Sequence, residues 1–298
     1  MRILVVMAAF NEVDYIDKNL RTLLPYVDKI AVSTTNHLTG YNSTDGTEEK
    51  LHYFIDSEDK EHKIIYRNPK ESENYSSASS IYDRNEGILK TNLMNMMEPE
   101  EGDWIWIVDA DEFYSEWQLE RLRSRYLLEH QALQYNKHCL MVSAMVFAYN
   151  INNFYFSRHG RFFRYKKNSY FSSVNHFTWE GGEPVYGDKY GWDIPPSYLN
   201  MYHMRYVRST IDRLRNRYIY RQDKAGMRKL KWFDEVYMHY PINHIEAMKR
   251  NEELCGARVF DSALGGKLRS IIDPHLPNEL KDLDIDLWKE IRNEYSTT

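Results

Sequence analysis

Four apolar runs, each ending in a polar cluster, occupy the first 115 or so residues and limit the folds open to this chain. The runs begin at Ile3, Ile30, Ile64 and Trp104, and segments with helical spacing of apolar residues separate them. Asn11 is predicted to cap the first of these helices. Strands that alternate with helices form right-handed crossovers and a mostly parallel sheet covered on both faces. The sequence therefore predicts an α/β fold with a mostly parallel central sheet flanked by helices.

The fourth apolar run ends abruptly at Asp109, which Ala110 and Asp111 follow directly. Ligands bind at the carboxyl ends of parallel strands, and strand alternation predicts that Asp109 and Asp111 lie on the same side. Two carboxylates so placed repel each other and lose solvation unless a divalent cation binds them. The pattern therefore predicts a metal site. The alternative is that Asp109 or Asp111 caps a helix that begins near Ser115.

Four short motifs stand at the ends of the predicted strands and on the helix before the fourth. Residues 9–12 read AFNE, residues 42–47 read NSTDGT, residues 84–87 read RNEG and residues 108–113 read VDADEF. In order and spacing they resemble the motifs of family 2 glycosyltransferases with the GT-A fold, where the last three are written GSTDGT, RNxG and DxDEF. Each motif alone is common, and their joint occurrence is specific. The resemblance covers roughly residues 3–115 and implies a GT-A-like sheet, with an irregular, partly helical acceptor region after it.

The resemblance also implies a nucleoside-diphosphate sugar as donor and Mn²⁺ or Mg²⁺ as the metal ion. Carried over to this sequence, Asp111 is the main metal ligand, and Asp109 assists it and contacts the donor. The metal ion neutralises the diphosphate leaving group as a Lewis acid. Residues 201–203 are similar to a C-terminal segment whose histidine completes the metal site, so His203 is the third predicted ligand. The alternative is a hydrogen-bonded, partly buried histidine.

The residues predicted to contact the donor come from the motifs and from the polar and basic segments near them. They are Ala9, Phe10, Asn11, Glu12, Ser33, Thr34, Asp45, Arg84, Asp109, Ala110, Arg205 and Arg208. Arg84 suits the diphosphate because a guanidinium binds phosphate oxygens bidentately; its alternative is a surface salt bridge with Asp83 or Glu86. Arg205 and Arg208 open a basic segment after His203, and such segments are often solvated helix faces.

The second strand departs from the family pattern. An acidic residue usually ends this strand and contacts the nucleobase, but here the polar residues 33–41 precede the NSTDGT segment. Ser33 or Thr34 is predicted to hydrogen-bond the base instead. Asp45 has an alternative role as the N-cap of a helix that begins at Thr47.

We expect an inverting transfer, which needs a carboxylate base to take the proton from the acceptor hydroxyl. The glycine-rich loop contains the candidates, which are Glu180, Glu183, Asp188 and Asp193. Glu180 is the first choice, because it follows Trp179 and apolar surroundings raise the pKa of a carboxyl group, and Asp188 is the second. Asp111 is counted with the catalytic residues. Each loop carboxylate has the alternative of a solvated surface charge.

The net charge of −5 is an average over two unlike regions. Residues 151–240 carry a net charge of +8 and the rest −13, and residues 131–240 hold 25 of the 43 aromatic residues. Aromatic faces stack on sugar rings and on bases. We therefore predict three regions: 1–130 binds the donor, 131–240 binds the acceptor and completes the metal site, and 241–298 is a helical and loop extension. The acceptor is a saccharide or an anionic molecule such as a hydroxylated DNA base.

Composition excludes several classes of protein. With 42% hydrophobic and 28% charged residues, the chain is neither disordered nor a disulfide scaffold, and no apolar run reaches the roughly 18–20 residues of a membrane span. Cys139 and Cys255 form no CxxC pattern, which favours a reduced, cytoplasmic setting.

Two alternative functions remain. The first is a sugar-nucleotide nucleotidyltransferase, which is expected to carry a glycine-rich loop after the first strand; here residues 8–11 read AAFN, which is not such a loop. The second is a non-catalytic module that binds sugars or nucleic acid, against which the presence of both Asp109 and Asp111 argues.

Overall fold

The computed structural model describes residues 1–36, 40–68, 82–124, 138–173, 176–178, 191–219, 230–255, 277–281 and 285–296. The strands are β1 Ile3–Ala8, β2 Lys29–Ser33, β3 Ile64–Tyr66, β4 Trp104–Asp109, β5 Glu112–Phe113, β6 Cys139–Ala148, β7 Asn150–Arg164, β8 Tyr170–Ser173, β9 His176–Thr178, β10 Gly191–Ile194 and β11 Asn200–Tyr206. The α-helices are α1 Ile16–Leu23, α2 Thr47–Glu58, α3 Tyr82–Met96, α4 Glu116–Arg123, α5 Ile211–Ile219, α6 His244–Cys255, α7 Asn278–Lys281 and α8 Leu287–Ser296. A 3₁₀ turn covers Leu24–Tyr26 and a π-helix Phe233–Tyr237.

The chain forms two compact units. The first consists of Met1–Ser143 and Arg158–Met201, and the second of Ala144–Ser157 and Tyr202–Thr298. Strands β6, β7 and β11 each contain a unit boundary along the chain. The predicted regions 1–130, 131–240 and 241–298 were defined by donor and acceptor roles, which these units do not test, so the regions stay a prediction.

The first unit is built on a sheet whose parallel part has the strand order β3-β2-β1-β4. Strand β7 adds to β4 in the antiparallel direction, with Trp104 opposite Arg164. Ala8 is in register with both Ser33 of β2 and Asp109 of β4, so the carboxyl ends of three neighbouring strands meet at one edge. The predicted fold class, α/β with a mostly parallel sheet flanked by helices, is confirmed.

Helix α3 covers one face of this sheet. Leu89 and Leu93 pack in a buried cluster with Leu4, Val6 and other apolar residues of β1 and β4. Burial of this continuous apolar area stabilises the first unit at roughly 25 cal/mol per Å². The four apolar runs that were predicted as strands therefore pair with one another in the parallel sheet. Such runs are apolar on both faces, so both faces of the sheet need to be covered by other elements.

The second unit contains a buried aromatic group around Tyr149. The ring of Tyr149 stacks on Tyr237 at a centroid distance of 4.2 Å and meets Trp288 edge to face at 5.1 Å. The backbone N–H of Leu287 donates to the carbonyl oxygen of Tyr149 at 3.1 Å. These contacts fix helix α8 within the unit. Among the described helices of the chain, none is long and apolar enough to cross a membrane.

Candidate functional site

The acidic motif forms a tight turn at the carboxyl end of β4. Strand β4 ends at Asp109, residues 110–111 form the turn, and β5 begins at Glu112. The Asp109 side chain is 32% exposed, whereas Asp111 and Glu112 are fully buried. Strand alternation therefore does not extend to Asp111, because β4 ends at Asp109, and the two aspartates differ in burial; that they lie on the same side stays a prediction.

The alternative role of these aspartates as helix caps is wrong as well. Helix α4 begins at Glu116, and its N-cap residue is Ser115. The backbone N–H groups of Gln118 and Leu119 donate to the carbonyl oxygen of Ser115. Neither Asp109 nor Asp111 occupies the capping position, so the acidic turn is not explained by the start of α4.

Hydrogen bonds hold the acidic turn at both ends. The backbone N–H of Asp109 donates to Glu112 Oε2 at 3.2 Å. The side-chain amide of Asn19, on α1, donates to the carbonyl oxygen of Glu112 and, at 3.5 Å, to that of Asp109. Asn19 is fully buried. Its role was not predicted; the one signal in the sequence is an amide among the apolar positions Ile16, Leu20 and Leu23 of α1.

Arg161 of β7 reaches the acidic turn from the neighbouring antiparallel strand. Its Nη2 contacts Glu112 Oε1 and lies 3.3 Å from Asp109 Oδ2. The Arg161 side chain is only 4% exposed. Burial raises the pKa of Glu112 well above its ordinary value, and the positive charge of Arg161 opposes that rise. The acidic turn thus has a buried counter-charge on a neighbouring strand.

The acidic turn has the donor chemistry of a divalent cation site. Asp109 and Glu112 each offer a carboxylate oxygen, and these two oxygens lie within 4.8 Å of each other. Carboxylate oxygens are the ligands that Mg²⁺ and Mn²⁺ prefer. This oxygen pair at the edge of the parallel sheet could bind a metal ion. Glu112, rather than Asp111, is the partner of Asp109 in this pair.

Another predicted metal ligand, His203, lies on β11 in the second unit. Its side chain is 4% exposed. It is therefore a buried histidine in a strand, and its role as a ligand stays a prediction. Asp111 likewise stays a predicted ligand, with a side chain that is fully buried.

The AFNE loop and the NSTDGT segment are joined to each other. Asn11 Oδ1 accepts a hydrogen bond from the N–H of Thr44 at 3.0 Å, and the N–H of Asn11 donates to Ser43 Oγ at 3.0 Å. Asn11 has a left-handed backbone with φ of 55° and lies well before α1, which begins at Ile16. The prediction that Asn11 caps the first helix is therefore wrong; its side chain binds the second motif instead.

Asp45 connects the same two segments. Its Oδ2 accepts from the N–H of Val13 at 3.2 Å, and its Oδ1 accepts from the N–H of Thr47, the first residue of α2, at 3.1 Å. Gly46 is the N-cap residue, with φ of 93°, which suits a residue without a Cβ atom. The alternative role of Asp45 as the N-cap of α2 is therefore wrong, because Gly46 holds that position; Asp45 instead accepts hydrogen bonds from the AFNE side and from the first residue of α2.

Ser33 and Thr34 lie buried at the carboxyl end of β2. Ser33 Oγ lies 3.3 Å from Asn68 Oδ1, and the backbone N–H of Thr34 donates to the same oxygen at 3.0 Å. Thr34 Oγ1 is 3.3 Å from the hydroxyl of Tyr66. Glu12 is 4% exposed, and its backbone N–H donates to Thr47 Oγ1. The predicted base-binding residues belong to polar networks within the protein, and their contacts with a donor stay predictions.

The predicted basic donor contacts have unlike environments. Arg208 is 2% exposed and donates to the carbonyl oxygens of Met204 and Val207 at 2.6 Å. Arg205 lies over the ring of Tyr206, 5.4 Å from its centroid. Arg84 belongs to α3, although its side chain lies outside the described part of the chain. Ala9 and Ala110 are fully buried and Phe10 is partly buried. Glu180 and Asp188 lie outside the described residues.

No protein-family model matches the chain, and no curated protein matches it. Among solved structures, the chain is similar to the crystal structure of S. aureus TarS 1–349, with a TM-score of 0.37 and 12% identity over 88% of this chain and 74% of that chain. It is also similar to mannose-6-phosphate isomerase from Helicobacter pylori, with a TM-score of 0.28 and 10% identity over 56% of this chain and 62% of that chain. Both TM-scores are too low to carry an argument about fold or function.

Proposed function

We propose that this protein is a metal-dependent, inverting glycosyltransferase that moves a sugar from a nucleoside-diphosphate sugar to an acceptor hydroxyl. One observation carries the proposal: the acidic turn from Asp109 to Glu112 lies at the carboxyl edge of a parallel sheet, in register with Ala8 and Ser33 of the neighbouring strands. This is the edge at which open α/β sheets bind ligands. The four sequence motifs that resemble family 2 glycosyltransferases support the same assignment.

In this proposal Asp111, Asp109 and His203 hold Mn²⁺ or Mg²⁺. When bound, the ion supplies Lewis-acid stabilisation to the diphosphate as it departs. Asp109 and Ala110 also contact the donor. The AFNE loop, residues 9–12, and Asp45 line the donor side, and their mutual hydrogen bonds support a preformed loop. A preformed loop loses less conformational entropy when a ligand binds.

Other residues are proposed to bind the remaining parts of the donor. Arg84, Arg205 and Arg208 bind phosphate oxygens, and Ser33 and Thr34 hydrogen-bond the base. The buried guanidinium of Arg208 already donates to two carbonyl oxygens. Its contribution to phosphate binding is therefore expected to be the smallest of the three arginines.

On the acceptor side, we propose that Glu180 or Asp188 takes the proton from the acceptor hydroxyl. Residues 1–130 bind the donor, and residues 131–240 bind a saccharide or an anionic acceptor such as a hydroxylated DNA base. The net charge of +8 over residues 151–240 supports an anionic acceptor. We further propose a cytoplasmic location, because the two cysteines, Cys139 and Cys255, are far apart in the chain and form no CxxC pattern.

Release of nucleotide from UDP- and GDP-sugars in the presence of Mn²⁺ tests the proposal. The unaltered chain is expected to release nucleotide with at least one donor, and Asp111→Asn is expected to reduce the rate more than about 10-fold. Asp56→Asn, an exposed change on α2, is the matched control and is expected to leave the rate unchanged. No release with any donor, or equal rates for Asp111→Asn and the unaltered chain, would contradict the proposal.

A further inference from the structure

Arg161 touches two carboxylates of the acidic turn from outside the motif. Its Nη2 contacts Glu112 Oε1 and lies 3.3 Å from Asp109 Oδ2. Glu112 is held on its other oxygen by the backbone N–H of Asp109 at 3.2 Å. Arg161, Glu112 and Asp109 therefore form a closed set of contacts in which each group restrains the other two.

Burial makes these contacts more rigid than an exposed ion pair. The side chains of Arg161 and Glu112 are 4% and 0% exposed, whereas Asp109 is 32% exposed and faces solvent in part. Charge-assisted hydrogen bonds in such surroundings are short and directional. Asp109 is thus the half-exposed member of a set whose other two members are fixed in the protein interior.

We infer that Arg161 is a positioning residue that orients the Asp109 carboxylate for a divalent cation. The inference rests on the proposed metal site and adds a residue that lies 52 positions along the chain from Asp109. Arg161 fixes the Oδ2 atom of Asp109 against the buried Glu112. The carboxylate is then already oriented when a cation arrives.

Two effects of Arg161 on a cation oppose each other. Its positive charge repels a divalent ion, and its contact with Asp109 orders a ligand. Arg161→Lys separates them, because lysine keeps the charge on a flexible stem but lacks the rigid, planar guanidinium that holds Nη2 between Glu112 and Asp109. Loss of an ordering partner outside the ligand shell typically lowers metal affinity about 10- to 100-fold.

Mn²⁺ binding to the purified chain, followed by electron paramagnetic resonance without any sugar donor, tests the inference. Arg161→Lys is expected to weaken Mn²⁺ binding about 10- to 100-fold. Arg2→Lys is the matched control: Arg2 binds Asp103 at 2.7 Å just before the start of β4, the strand that ends at Asp109. It is expected to leave Mn²⁺ affinity unchanged.

A double-mutant cycle shows whether Arg161 acts through Asp109. In an Asp109→Ala background, Arg161→Lys is expected to cause no further loss, because residue 109 then offers Arg161 no side-chain oxygen. Wild-type Mn²⁺ affinity in Arg161→Lys, or independent, additive losses, would overturn the inference and leave the proposed metal site standing. Absence of Mn²⁺ binding by the unaltered chain would overturn the proposed metal site, and the inference with it.

A measurement on the unaltered chain covers the case in which Arg161→Lys does not fold. With ¹⁵N-labelled arginine, titration with Mg²⁺ is expected to shift the side-chain resonances of Arg161 and leave those of Arg2 in place. Saturation of the shift at the Mg²⁺ concentration that saturates binding supports the inference. An Arg161 resonance that stays unchanged while Mg²⁺ binds overturns it.

Discussion

The buried side-chain amide of Asn19 donates hydrogen bonds to the carbonyl oxygens of both Glu112 and Asp109, which are 93 and 90 residues further along the chain. One side chain on α1 therefore closes the acidic turn at its two ends. Without this amide, repulsion between the carboxylates would push the two ends of the turn apart. The amide opposes this without adding charge.

Asn19→Leu is expected to lower the free energy of unfolding by about 1–3 kcal/mol, because it leaves a buried carbonyl oxygen without its donor. Urea denaturation followed by circular dichroism measures the change. Thr22→Val, on the same helix, is the control: the Thr22 hydroxyl donates to the carbonyl oxygen of Lys18 within α1. Thr22→Val is expected to lower the free energy of unfolding by less than Asn19→Leu does. Equal decreases in the two variants would contradict the role given to Asn19.

Arg161→Met is expected to cost about 3–5 kcal/mol of stability, because it leaves the buried carboxylate of Glu112 without its counter-charge. Adding Glu112→Gln is expected to restore part of this loss. Arg215→Met is the control, since Arg215 forms an exposed ion pair with Asp234 at 3.0 Å, which is worth less than about 1 kcal/mol. Thermal denaturation compares the two variants. If Arg161→Met and Arg215→Met lower the stability by equal amounts, Arg161 does not act as the counter-charge of Glu112.

Mn²⁺ is expected to stabilise the chain by about 2.7 kcal/mol at a concentration 100 times its dissociation constant, provided that it binds only the folded state. Differential scanning fluorimetry shows this as a higher melting temperature that EDTA reverses. Asp111→Asn is expected to remove most of the shift. The exposed control Asp56→Asn is expected to keep it, and a shift retained in both variants would place the cation elsewhere.

Because of Asp103, the free energy of unfolding is expected to fall as the pH is lowered in the acid range. Burial raises the pKa of Asp103, but hydrogen bonds from Arg2 and from the N–H of Glu100 outweigh burial and hold the pKa below its ordinary value. A carboxyl group whose pKa is lowered by folding contributes stability above its unfolded pKa and loses it as pH falls through the folded pKa. Asp103→Asn is therefore expected to cost about 1.5–3 kcal/mol at pH 7.

The cost of Asp103→Asn is expected to shrink below the ordinary pKa of 3.8. Urea denaturation of both proteins at neutral and strongly acid pH gives the difference. Asp56→Asn, on the exposed side of α2, is expected to show no such pH dependence. A constant difference between Asp103→Asn and the unaltered chain at all pH values would contradict the assignment.

Tyr149→Phe tests the aromatic group of the second unit. The buried Tyr149 hydroxyl donates to the carbonyl oxygen of Tyr237 at 2.9 Å. Its removal is expected to cost about 0.5–1.5 kcal/mol in urea denaturation. Tyr53→Phe, on a ring that is 73% exposed, is the control and is expected to change nothing. A loss in both variants would indicate an effect other than the hydrogen bond.

Local patterns along the chain were sufficient to predict the α/β class and the location of the acidic turn. Strands β1, β2, β3 and β4 are continuous apolar runs, and burial on both faces of a parallel sheet is the physical reason that such runs form strands. The same local pattern located Asp109 at the end of β4. These predictions succeeded because each depends on residues close together in the chain.

Which groups meet at the turn depends on contacts between distant parts of the chain and could not be predicted from local patterns. Arg161 and Asn19 reach Glu112 across 49 and 93 residues, and no spacing in the sequence encodes either contact. Asn11 was predicted as a helix cap from its residue type, yet its side chain binds Thr44. A polar side chain accepts whichever partner the folded backbone brings within hydrogen-bond distance, and for these three residues that partner is distant in sequence.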